Sequence, residues 1–300
     1  MIDIIIPAYN AHEWIGNLLK SIEKQSIKDK LYITIIDDGS LKKYDEVLEK
    51  LKLTLNINII RTSFNRGVAY SRKLGFKKTN NKYLMFLDAD DLLVNNKVLE
   101  EMYDIVKDNP DANLVCAKEV NNGYCRLHEY HLVGKLLKRE IIKKYNIKFP
   151  KLAIEEDIAF MMAYQTVINA KGIYFIDKLF YKYNHVNPNS ITTKYNFLIN
   201  YDYKEFFKAV DFSYTYAQKY HKYEFFKVNI LNIFSNIAKL YSVNVNKENK
   251  NKKVEEIFLK RCQEFYNKYK LYLDMEIKRD KIDEKDYFII KWFIDFLKIK

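Results

Sequence analysis

Residues 1–91 alternate short apolar runs with segments whose apolar residues recur every three or four positions. Ile2 to Ile6 is a β-branched run stopped by Pro7, which predicts a strand leading into the loop Pro7-Ala8-Tyr9-Asn10. Asn10 and Glu13 stand at capping-box spacing, so a helix is expected to start there and to carry Trp14, Ile15, Leu18, Leu19 and Ile22. A second run, Leu31 to Ile36, ends in Asp37-Asp38-Gly39-Ser40, where the Gly permits a tight turn. Val47, Leu48 and Leu51 predict another amphipathic helix and Ile57–Ile60 a third strand; Asn65-Arg66-Gly67 opens a helix through Ala69, Arg72, Leu74 and Phe76. The fourth run, Tyr83 to Leu87, has the length of a strand buried on both faces and ends in Asp88-Ala89-Asp90-Asp91.

Strands alternating with helices in this way predict an α/β chain with a parallel, doubly wound sheet. Ligands bind such sheets outside the carboxyl ends of the strands, and Pro7–Asn10, Asp37–Ser40 and Asp88–Asp91 all fall there. Carboxylates packed as densely as Asp88, Asp90 and Asp91 repel one another unless something positive sits among them. A divalent cation with oxygen ligands is one account. Capping of a helix starting near Leu92 is the other, although one Asp suffices for a cap. Asp38 could accept a hydrogen bond from the imide of a uracil while Tyr9 offers a stacking face. Asp90 could hold a metal that bridges two phosphates of a nucleotide, with Arg66 and Arg72 near the phosphates or base. For either Arg a solvated helix face is the plainer alternative.

Further along, the pattern predicts a helix over 95–106, a strand near 112–117 and a helix over 138–145. Glu155-Glu156-Asp157 precedes an apolar helix, Ile158–Val167; a strand at Ile173–Ile176 and an alternating stretch, Phe180 to His185, follow. From Phe197 onward there is no Gly or Pro, and a helical region is expected, with a polar loop at Val243–Lys253. In its last helix, capped near Asp283, Lys291, Asp295 and Lys298 share one face, while Phe288, Ile289, Trp292, Phe293, Phe296 and Ile299 cover most of the rest. Such a helix either packs on protein or lies on an anionic membrane surface.

The charge balance adds a preference for anionic partners: 51 Lys+Arg against 39 Asp+Glu leave a net charge of +12. The Lys residues are dispersed among acids rather than gathered in a basic stripe with placed Arg, which argues against nucleic acid. Cys116, Cys125 and Cys262 are odd in number and widely spaced, which suits a reducing compartment and excludes a CxxC zinc site. No basic leader and no window of about 20 apolar residues is present, so a cytoplasmic protein is expected, at the inner face of the cell membrane if the last helix meets lipid.

Ile6-Pro7-Ala8-Tyr9-Asn10, Ile36-Asp37-Asp38-Gly39-Ser40, Asn65-Arg66-Gly67 with Ser71-Arg72, and Leu87-Asp88-Ala89-Asp90-Asp91 together resemble the successive motifs of glycosyltransferase family 2. The resemblance covers roughly residues 1–195. It implies a GT-A fold, Rossmann-like with a mainly parallel sheet, and a metal-dependent, inverting transfer from a UDP-sugar. It also implies a division into nucleotide binding over about 1–118, an acceptor side over about 119–195, and a helical region over 196–300. By this resemblance Pro7, Tyr9, Asp38, Arg72, Asp88 and Ala89 hold the donor nucleotide; Asp91 and Glu156 face the donor sugar; Asp90 and His185 bind Mn2+ or Mg2+. Asp157 would be the general base, its pKa expected to rise beside two Glu residues. His185 and Ser190 resemble a late motif of some members, with Asn184 where Arg is commoner. The implied acceptor is a glycan or glycolipid of a bacterial surface polymer. Two other readings share parts of the pattern. A nucleotidyltransferase acting on a sugar phosphate would want a Gly-rich phosphate loop after the first strand, which Pro7–His12 lacks; a non-catalytic basic binding module leaves the strand-end motifs unexplained.

Overall fold

A computed structural model describes residues 1–121, 124–126, 130–152, 154–184, 187, 204–244, 252–277 and 282–299. Four parallel strands come first: β1 (Ile2–Ala8), β2 (Leu31–Asp37), β3 (Asn56–Arg61) and β4 (Tyr83–Phe86), in the spatial order β3-β2-β1-β4. The chain builds outward from β1 to β3 and then crosses back to lay β4 on its other side. That reversal is a topological switch point, the place where open α/β sheets bind ligands.

Beyond β4 the sheet becomes mixed. β8 (Leu136–Lys138) runs antiparallel to both β4 and β6 (Leu114–Asn121). β9 (Ile173–Lys182) is parallel to β6 and antiparallel to β5 (Leu92–Leu93), and β7 (Tyr124–Arg126) pairs with β6. The run expected at Ile173–Ile176 and the start of the alternating stretch, Phe180 to Lys182, therefore lie in one strand, and Tyr183 and Asn184 follow it.

Strand periodicity decides which helix covers which face. Ile2, Ile4 and Ile6 pack with α1 (Ile15–Glu23) and α4 (Val98–Asp108) in one apolar cluster, which α2 (Asp45–Leu51) extends through Val47, Leu48 and Leu51. Ile5 points the other way, toward α3 (Val68–Lys78), which lies so close that a Cβ on Gly75 would sit 2.3 Å from Ile5 Cγ2. At the amino ends of β1 and β4, buried Arg139 of α5 (Arg139–Lys144) donates to Asp3 Oδ2 at 2.7 Å, Asn81 O at 2.6 Å and Phe76 O at 2.9 Å. Asn81 in turn donates through its backbone N–H (2.8 Å) and its side-chain amide (2.7 Å) to Asp3.

Two sequence expectations change here. Pro7 lies inside β1 rather than ending it, near the strand's last residue. The first helix begins at Ile15, not at Asn10, which takes a left-handed φ of 51° and serves the loop instead.

The chain divides into two compact units, Met1–Lys151 with Glu156–Tyr164 and Ala170–Pro188 forming the first, and Leu152–Glu155, Gln165–Asn169 and Asn189–Lys300 the second. In the second, α7 (Lys204–Tyr220), α8 (Tyr223–Asn244), α9 (Lys252–Ile277) and α10 (Glu284–Ile299) pack through aromatic contacts such as Phe207 on Phe265 and Phe234 on Phe293. The α10 cap is as expected: Asp283 Oδ1 accepts the Lys285 N–H at 2.9 Å. Its apolar surface is divided. Ile290, Phe293, Ile294 and Leu297 are buried, while Phe288, Trp292 and Ile299 remain exposed. No helix among the described residues is long and apolar enough to cross a membrane.

Candidate functional site

The exits of β1 and β2 are tied together by short polar links. Asn10 donates its N–H to Ser40 Oγ (2.9 Å) and accepts the Leu41 N–H on Oδ1 (2.9 Å). Asp37 accepts the Ser40 N–H (2.9 Å) and pairs with Arg61 (3.0 Å). Asp38 is buried, and its carboxylate accepts the backbone N–H of Gly67 (2.7 Å) and of Arg66 (3.1 Å) as well as the Thr62 hydroxyl (3.2 Å). Gly39 turns with φ +72°, and a Cβ there would meet the Phe64 backbone at 2.5 Å. Asp38 and Gly39 thus pin the loop that opens α3 onto the end of β2. Around this corner Tyr9 and Phe64 are half or more exposed, while Pro7 is buried in β1. The Arg66 guanidinium lies 3.7 Å from the Tyr70 ring centroid and donates to its hydroxyl at 2.9 Å.

The second cluster gathers on Arg72. Residue 72 sits on α3, and its buried side chain spans from the end of β4 to the first turn of α6 (Glu156–Ile168). Nη2 donates to Asp88 Oδ1 at 2.8 Å, and Nη1 makes a close ion pair with Glu156 Oε1. Burial alone would lower the Arg72 pKa, but the charges of Asp88, Glu156 and Asp157 outweigh it and raise it. Each terminal nitrogen of the Arg that the resemblance offers to base or phosphate thus already meets a carboxylate. Glu156 is pushed up to about 7, chiefly by burial, with Asp157 and Asp88 adding to the rise and Arg72 opposing it. Within Glu155-Glu156-Asp157 it is Glu156 that is buried. Asp157 is only half-buried and makes no hydrogen bond among the described residues, so its carboxylate is the accessible one.

The acids after β4 are not equivalent. Asp91 is 4% exposed; it accepts the Tyr181 hydroxyl at 2.5 Å and the Asn184 N–H at 2.8 Å, and burial holds its pKa well above the usual carboxylate range. Tyr181 also accepts the Asp88 N–H at 3.2 Å. Asp91 therefore fastens the exit of β9 rather than facing outward toward a sugar. Asp90 accepts the neutral Asn187 side-chain amide (2.8 Å), and burial, then the charge of Asp88, raise its pKa. Neither Asp90 nor Asp91 caps a helix: β5 follows at once, and α4 starts at Val98 after Lys97. Ala89, between Asp88 and Asp90 in sequence, is buried. His185 and Ser190 lie outside the described residues.

No group of three or more His, Cys, Asp or Glu side chains converges to hold a metal among the described residues. The donor chemistry nonetheless fits a hard divalent cation at Asp90, a desolvated carboxylate that meets a neutral amide and has another carboxylate as its neighbour. Sequence reasoning missed Tyr181 and the Arg72–Glu156 pairing. The alternation Phe180-Tyr181-Lys182-Tyr183 was the only signal for the first, and partners 84 positions apart leave no local pattern for the second.

Residues 3–171 match the family model described as glycosyl transferase family 2. A cholesterol galactosyltransferase of Borreliella burgdorferi is 28% identical over 217 residues, which take in 60% of this chain and 59% of that protein. The poly(ribitol-phosphate) beta-N-acetylglucosaminyltransferase TarS of Staphylococcus aureus is 27% identical over 120 residues, 39% of this chain and 21% of that protein. This chain spans less than two thirds of the length of either relative. In fold it is similar to S. aureus TarS 1-349 solved with UDP (TM-score 0.64, 19% identity, 98% of this chain and 91% of that one). It is also similar to the same protein solved with UDP-GlcNAc (TM-score 0.55, 19% identity, 99% and 81%).

Proposed function

The chain belongs to glycosyltransferase family 2, and we propose on that premise that it transfers a sugar from a UDP-sugar to a hydroxyl of a bacterial surface glycan or glycolipid. The observation that carries the reading is the bridge Asp88–Arg72–Glu156, which brings the acidic end of β4 to the start of α6 and to Asp157. The relatives named above, one acting on a poly(ribitol-phosphate) and one on cholesterol, support a glycosyl donor and leave the acceptor class broad.

In this reading Tyr9 stacks on the base and Pro7 and Asp38 wall the nucleoside pocket, Asp38 doing so by fixing the Arg66–Gly67 loop. Asp88 and Ala89 lie along the ribose, and Arg72 holds Asp88 in place. Glu156 lines the sugar from its buried position, and Asp91 sets the β9 exit. Asp90, with His185, would hold Mn2+ or Mg2+, which when bound neutralises charge on the diphosphate. The acceptor oxygen forms its bond to the anomeric carbon from the face opposite the diphosphate, Asp157 takes the hydroxyl proton, and the bond to UDP breaks, inverting the centre. An accessible carboxylate is what that proton transfer needs, and Asp157 offers one where Glu156 does not.

The proposal keeps nucleotide binding within about 1–118, the acceptor side within about 119–195, and a helical region over 196–300. Exposed Phe288, Trp292 and Ile299, flanked by Lys291 and Lys298, support α10 resting on an anionic membrane from the cytoplasmic side. Titration of the protein with UDP in the presence of Mn2+ tests the donor assignment. A Kd below about 1 mM, or roughly −4 kcal/mol, is expected; no heat at millimolar UDP overturns it.

A further inference from the structure

Behind the carboxylate cluster lies a polar chain that none of the steps above uses. Glu119 of β6 is 2% exposed, with Oε1 2.8 Å from His131 Nδ1 and Oε2 4.0 Å from Lys135 Nζ. His131 Nδ1 also lies 2.8 Å from the Tyr183 hydroxyl, and the two rings meet edge-on at 5.5 Å. Tyr183 packs edge-on against Tyr181 at 5.2 Å, and Tyr181 is the residue that holds both Asp91 and the Asp88 N–H. The segment bearing His131 is itself fixed: Gly134 donates to Phe86 O at 3.0 Å, with φ +69° and room for no more than light contact beside the Tyr181 ring. A carboxylate so near Nδ1 favours the tautomer that carries its proton there and donates to Glu119, with the Tyr183 oxygen within reach of the same N–H as a second acceptor.

We propose that Glu119, His131 and Tyr183 form a brace that positions the Asp88–Asp91 turn from behind, with His131 as its pivot; the functional part of this inference rests on that turn being the metal and donor site. Burying the Glu119 carboxylate against a half-buried imidazole costs desolvation that an apolar wall would avoid. The chain earns a role because it ends on the aromatic pair that sets the turn's geometry. In metal sites, partners that orient the ligands from one layer out change affinity by about 10- to 100-fold when removed. His131 is here a positioning residue.

The test has two readouts on the whole protein. In His131→Leu, backbone amide exchange at Asp88 and Asn184 should quicken, and UDP affinity with Mn2+ should fall by about 10-fold. His131→Asn, whose side-chain amide can still donate to Glu119, should restore most of both. Tyr183→Phe removes the hydroxyl alone and carries the same test if His131→Leu does not fold. Unchanged exchange at Asp88 and Asn184 in either variant overturns the brace, whether or not UDP binds. Quickened exchange in a protein whose wild type binds no UDP supports the brace and instead rejects the donor reading.

Discussion

Arg72 and Asp88 form a 2.8 Å ion pair between a helix and the end of a strand, and the same guanidinium reaches Glu156 from its other nitrogen. One buried cation thus orders two acids that would otherwise repel. Removing one partner of a buried pair leaves uncompensated charge, so Arg72→Ala should destabilise the protein by about 3–5 kcal/mol. Arg72→Lys should recover only part of this, since an ammonium cannot span both carboxylates as a planar fork does. Denaturant melts of both variants measure it; a loss near zero for Arg72→Ala contradicts the bridge.

Asp157 and Glu156 make separable predictions. Asp157→Asn should keep UDP binding while transfer falls by on the order of 10²-fold or more, as loss of a general base should. Steady-state turnover at wild-type level in that variant removes Asp157 from the role.

Glu156 predicts a pH dependence of stability. Its folded pKa, about 7, lies above its ordinary value of 4.5, so the folded protein binds that proton more tightly than the unfolded chain. The stability this contributes is fully present below pH 4.5 and is lost as pH rises through about 7. In Glu156→Gln that term is absent. The midpoint of thermal unfolding of the variant should gain on the wild type between those pH values and run parallel above them. Parallel curves throughout would show that the carboxyl is not perturbed.

For α10 the informative change is at its surface rather than its removal. Ile290, Phe293, Ile294 and Leu297 are interior, so truncating the helix would expose core. The double substitution Phe288→Ser with Trp292→Ser leaves that core intact and should reduce partitioning onto vesicles containing anionic lipid. Equal partitioning of variant and wild type rejects membrane contact through this face.

The strand ends were legible because a buried parallel strand is a bare apolar run, and its first charged residues mark where it leaves the sheet. Asp37-Asp38 and Asp88–Asp91 stand out for that reason. What those acids bind was much less legible. Asp38 looked like an open acceptor, yet backbone amides of residues 66 and 67 occupy it. Asn10 and Glu13 have the spacing of a capping box, but the left-handed turn at Asn10 satisfies its side chain with the Leu41 amide and delays the helix. β8, at three residues, is too short to show any alternation, so the strand that joins β4 to β6 left no periodic trace. On α10, aromatic residues cover nearly every side, and periodicity alone did not tell which of them faced inward.

The Arg139–Asp3–Asn81 lock lies at the opposite pole of β1 and β4 from every residue assigned to the donor. A slip of one residue between paired strands would turn each side chain to the wrong face. Because this lock pins register away from those residues, an exchange at the carboxyl pole that spares the ties of Arg72, Asp38 and Asp91 leaves the strand register in place. A sheet built this way can acquire a taste for a different sugar while remaining the same scaffold.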